Sequence, residues 1–105
     1  MIDDEQDRMS HMKATDFSQP DDPTVLSAER FAAAIVTQLN GGEDGVSLDF
    51  SGMRGVASSY FNVLFGDIIS AVGAQVFEQR VKLYFETPTQ KLVANRSREA
   101  VLKAG

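Results

Sequence analysis

Residues 46–66, VSLDFSGMRGVASSYFNVLFG, decide the fold. Val46 to Phe50 is a short, mostly apolar run of strand length, interrupted only by Ser47 and Asp49. Ser51 to Ala57 follows as a loop punctuated by Gly52 and Gly55. Phe61, Leu64, Phe65, Ile68 and Val72 then recur at the spacing of one helix face. A strand feeding a glycine-bearing loop and then an amphipathic helix is half of a strand–helix–strand unit. Ser58 and Ser59 stand at the start of that helix. Two hydroxyls therefore lie beyond the C-terminal end of an expected parallel strand, where ligands and partners of open α/β sheets bind. The helix start also presents unpaired N–H groups and the positive end of the helix dipole, which favour phosphate.

Working outward, the chain alternates. Thr24 or Ser27 is the expected cap of a helix carrying Phe31, Ile35 and Leu39, which Asn40-Gly41-Gly42 stops. Gly73 ends the second helix. Arg80 to Glu86 alternates, with Val81, Leu83 and Phe85 on one face, and reads as a strand. Thr87-Pro88 marks a helix start, with threonine as N-cap and proline at the first helical position; this helix extends to about Lys103. Lys13 to Phe17 reads as a further short strand, and Ser18 to Pro23 as a turn. Residues 1–12 are polar, acidic and without period, so a disordered acidic tail is expected there, followed by a single domain over 13–105. The predicted order is (β)αβαβα, a small α/β domain with a mostly parallel or mixed sheet and helices packed on it.

Composition limits the chemistry. The 105 residues suffice for one core and contain no cysteine, which excludes disulfides, cysteine-type zinc sites and thiol catalysis. The only histidine, His11, falls in the expected tail. No acid–base pair is placed for catalysis, so a non-enzymatic protein without a cofactor or metal is expected. A net charge of −5 argues against a general nucleic-acid binder but suits a protein partner with a basic patch. No apolar run approaches the ~20 residues needed to span a bilayer, and the acidic N-terminus is unlike a secretory signal. A soluble cytoplasmic domain is expected.

The candidate site is the loop and the first helical turn after it. A serine at a helix start most commonly caps the helix, but only one of Ser58 and Ser59 can do so. Asp49, near a strand end, is expected to be structural or to edge a pocket, because the other acidic residues and the lysine of a phospho-receiver are missing. Gly52-x-x-Gly55 lacks the lysine and hydroxyl of a P-loop, so these glycines are read as turn formers. Tyr60 is placed on the side away from Leu64 and Ile68, exposed beside the serines. Arg96, Arg98 and Lys103 are read as a solvated helix face. The expected partner-binding residues are Asp49, Ser51, Gly52, Arg54, Gly55, Tyr60 and Asn62, with Ser58 and Ser59 as phosphoacceptor candidates.

Leu48-Asp49-Phe50, Ser58-Ser59-Tyr60 and Asn62-Val63-Leu64-Phe65-Gly66 resemble the L-D-F, S-S-F and N-x-L-F-G segments of the STAS-like family of small prokaryotic domains. Asp16-Phe17-Ser18 and Ser27-Ala28-Glu29-Arg30-Phe31 resemble that family's opening. The wider STAS superfamily includes anti-sigma factor antagonists, in which a kinase-type anti-sigma factor phosphorylates a hydroxyl residue that maps to Ser58. The more regular serine of the STAS-like family maps to Ser59. Ala57 replaces the superfamily's aspartate before the hydroxyls, and Tyr60 its glycine after them. The resemblance implies a regulatory module that docks a histidine-kinase-like ATPase or anti-sigma-type kinase and is switched by phosphorylation of Ser58 or Ser59. The alternative is a small-ligand sensor that binds a nucleotide or other phosphate compound at the same helix end.

Overall fold

The structure, a computed structural model, describes residues 9–17, 25–42, 44–53 and 57–104. In chain order the elements are β1 (Met9–Lys13), a 3-10 turn (Ala14–Phe17), α1 (Val25–Asn40), β2 (Gly45–Asp49), α2 (Ser58–Val72), α3 (Ala74–Arg80), β3 (Val81–Tyr84) and α4 (Pro88–Ala104). The three strands form one sheet in the order β1-β2-β3, and both pairings are parallel. The α/β architecture expected from the sequence is therefore present, and its sheet is wholly parallel.

The core lies between the sheet and the helices. Val46, Leu48 and Phe50 point into it from the centre of the sheet, against Phe31 and Ile35 of α1 and Phe61, Leu64, Phe65 and Ile68 of α2, all fully buried. Phe50 links the aromatic rings of α1, α2 and the end of β3. It lies edge-on to Phe61 at 5.3 Å and stacks on Phe85 at 5.3 Å. Such ring pairs stabilise beyond the area that they bury. The opposite sheet face carries His11, Lys13, Lys82 and Tyr84, all exposed. At its centre Ser47 lies 3.2 Å, Oγ to Nδ1, from His11. The strands alternate because successive side chains of a strand point to opposite faces.

Two expectations at the level of elements are corrected. The first strand is Met9–Lys13 rather than Lys13–Phe17, so four residues assigned to the tail belong to the sheet. These residues gain order from pairing with β2, Met9 opposite Gly45 through Lys13 opposite Asp49, and from the Ser10 hydroxyl donating to Gln38 Oε1 at 2.9 Å. Residues 1–8 of that tail, Thr24 and the 18–23 turn lie outside the described residues. Ser27 does not cap α1; it is a buried residue of the first turn. Gly73 ends α2 as expected, with φ of +93°, and the chain then forms a further helix, α3, whose Phe77 is anchored in the core.

Two local features position the ends of β2. At Gly45 an added Cβ would lie 2.8 Å from the Arg80 carbonyl oxygen, so the close approach of β2 to the end of α3 requires glycine. At the other end Gln90 fastens α4. Thr87 Oγ1 accepts the Gln90 N–H at 3.1 Å, as the Thr87-Pro88 start predicts. Gln90, 2% exposed, accepts the Glu86 N–H at Oε1 (2.8 Å) and donates from Nε2 to the Phe50 carbonyl (3.1 Å). Thr87 thus caps α4 in the manner of a capping box, while the glutamine three residues on reaches past the cap to the Glu86 N–H and holds the end of the central strand.

Candidate functional site

The site begins where β2 ends. Asp49 Oδ1 accepts the Ser51 N–H at 2.9 Å and the Ser51 hydroxyl at 2.7 Å, an aspartate turn that reverses the chain. The Ser51 backbone N–H, then its hydroxyl, hold the Asp49 carboxyl below its ordinary value against the partial burial that raises it, and the Lys13 charge adds to the lowering. Gly52 follows with φ of +85°, a conformation that favours glycine, and its N–H donates to Glu86 Oε1 at 2.7 Å. Asp49, Ser51 and Gly52 thus form a braced turn at the end of β2. Arg54 and Gly55, expected at the partner surface, lie outside the described residues.

The helix start departs from the expected capping by serine. The N-cap of α2 is Ala57, in extended conformation, and it makes no side-chain cap bond. Tyr60 N–H donates to the Ala57 carbonyl at 3.1 Å. Ser58 and Ser59 are therefore the first two helical residues, not caps. Both are exposed, and among the described residues neither hydroxyl is engaged. The first N–H groups of a helix have no intrahelical acceptor, so this 15-residue helix presents its positive end here.

Tyr60 is corrected more sharply. It is 1% exposed and sits in the core beside Phe61, with ring centroids 5.4 Å apart. Tyr60, Leu64 and Ile68 are spaced four apart, so they share a helix face rather than opposing one another. Among the described residues the buried Tyr60 hydroxyl has no hydrogen-bond partner, and burial raises its pKa well above the ordinary phenol value. It belongs to the interior, not to a partner surface.

Asn62 is exposed one turn along, and its Oδ1 accepts the Ser97 hydroxyl of α4. This contact brings α4 against the start of α2. Ser58, Asn62, Val93, Arg96, Ser97 and Ala100 line a surface recess of about 270 Å³ between the two helices. Arg96 makes no ion pair among the described residues. The recess therefore sets one free hydroxyl and one guanidinium at a positive helix end, and Ser59 is not in its lining. Sequence reading placed Arg96 on a solvated face, because nothing local links it to a serine at the far end of another helix.

Among the described residues no group of three or more His, Asp or Glu is placed to hold a metal ion. No single helix there is long and apolar enough to cross a membrane. No curated protein and no solved structure matches the chain. Residues 27–90, more than half of the chain, match the family described as STAS-like domain of unknown function (DUF4325), a span that runs from the first turn of α1 through β2 and the serine pair to Gln90. With this match and, among the described residues, a three-stranded parallel sheet carrying four helices, the chain belongs to the STAS-like domain family.

Proposed function

We propose that this domain is a non-enzymatic regulatory binding module of the cytoplasm. It docks a histidine-kinase-like ATPase at the loop after β2 and the first turns of α2, and phosphorylation of Ser58 releases that partner. One observation carries the reading: Ser58 is exposed, uses its hydroxyl for no cap, and shares a recess with Arg96, which makes no ion pair among the described residues. A phosphoryl group on Ser58 adds about −1.5 to −2 charges beside a guanidinium and a positive helix end. The free domain accommodates that charge. A partner that covers the recess must bury a dianion, at a cost of several kcal/mol. Ser59 is equally exposed but stands outside the recess, which favours Ser58 of the two candidates.

The test is affinity for the cognate ATPase. Ser58→Asp weakens the complex at least about tenfold, and Ser58→Ala leaves it within about twofold of the unmodified domain. Equal affinity of all three proteins removes the switch. The same hydroxyl and guanidinium also suit a free phosphate compound, the sensor reading. A nucleotide that raises the thermal midpoint of the wild type but not of Arg96→Ala favours that alternative.

A further inference from the structure

We infer that the outer edge of β3 is a second docking site, one that accepts an extended acidic segment of a partner protein as a fourth strand. β3 is an edge strand, and its direction is fixed by one bond: the Tyr84 carbonyl accepts the Phe50 N–H at 3.0 Å. Tyr84 and Lys82 therefore turn their backbone groups toward β2, whereas Val81, Leu83 and Phe85 turn theirs outward. The Val81 N–H is used by the Phe77 carbonyl at the end of α3. The Val81 carbonyl, both groups of Leu83 and the Phe85 N–H then make no hydrogen bond among the described residues.

Proteins usually block such an edge with a bulge, a proline or a covering element. Here the edge opens into a groove of about 680 Å³ between β3 and α4. Its far wall is one face of α4, formed by Lys91, Asn95 and Arg98 at helical spacing. Lys91 has no ion pair among the described residues. Arg98 has one long exposed contact, 3.8 Å to Glu78. The acidic residue in the lining, Glu86, sits at the mouth with Oε1 already accepting the Gly52 N–H. An added strand would bond to the free backbone groups, and every second side chain would face Lys91 and Arg98. Strand addition with charge matching at alternate positions gives both affinity and choice of partner. This surface is separate from the Ser58 recess and stands whether or not Ser58 is a switch.

The probe is a blocked seven-residue peptide of alternating glutamate and valine, titrated into isotope-labelled full-length chain and followed by backbone amide NMR. The expected result is saturable shifts centred on Leu83 and Phe85, with slowed amide exchange at both. Binding weakens at least about fivefold in Lys91→Glu and in Arg98→Glu, and is lost for a peptide N-methylated at alternate residues. The lysine–valine counterpart does not bind. The inference is overturned by shifts that centre elsewhere, by equal binding of the lysine peptide, or by no binding at millimolar peptide. It is also overturned if Leu83 and Phe85 respond to protein concentration alone, because a second copy then occupies the edge.

Discussion

The side-chain amide of Gln90 donates to the carbonyl oxygen of Phe50 at 3.1 Å, a buried bond across forty positions that ties the start of α4 to the end of the central strand. The same amide satisfies the Glu86 N–H. Truncation leaves two polar backbone groups without their partner and removes a buried side chain. Gln90→Ala is expected to destabilise the domain by about 2–3 kcal/mol, read from urea unfolding. A loss under about 0.5 kcal/mol would mean that water replaces the glutamine at no cost.

Leu64 and Ile68 of α2 are wholly buried in the core. Leu64→Ala and Ile68→Ala are each expected to cost about 2–5 kcal/mol, as buried large-to-small changes do. Denaturant midpoints near wild type for both variants would place this face of α2 wrongly.

Tyr60 offers the opposite case. Its hydroxyl is buried and has no partner among the described residues, so Tyr60→Phe removes a desolvated polar atom while keeping the ring. Stability is expected to be unchanged or to rise by up to about 1 kcal/mol. A loss above about 1 kcal/mol would reveal a partner for the phenol, such as a buried water.

Asp49 sets a pH dependence. Its carboxyl is held below the ordinary carboxylate value of 3.8 by the Ser51 N–H and hydroxyl. The folded state therefore favours the ionised form. The contribution is complete above the unfolded value and is lost as pH falls through the lower folded value. The stability of Asp49→Asn relative to wild type should accordingly improve as pH drops below about 4. A constant difference from neutral pH downward would show that the turn does not depend on the charge.

Much of this fold was legible because its signals are local. The Val46–Phe50 run, the α2 stripe and the Thr87-Pro88 start each lie within one element, and each formed where expected. β1 was read four residues late because Met9, Ser10, His11 and Met12 carry little strand propensity and are ordered by pairing with β2. α3 was not foreseen, since a seven-residue helix after a helix-ending glycine is held chiefly by Phe77 reaching the core. The serines themselves were legible as a pair at a helix start. Their distinction was not, because Arg96 and Ser97 come from α4 and meet Ser58 and Asn62 only through packing of the two helices.

On the function proposed above, Ser58 receives a phosphoryl group from the ATPase that the domain docks. The direct measurement is intact mass and fragment mapping of the domain after incubation with the cognate histidine-kinase-like ATPase and ATP. One added phosphoryl group is expected, located on Ser58 and absent from Ser58→Ala. A complex that forms while the domain's mass stays unchanged would contradict it and leave a constitutive adaptor.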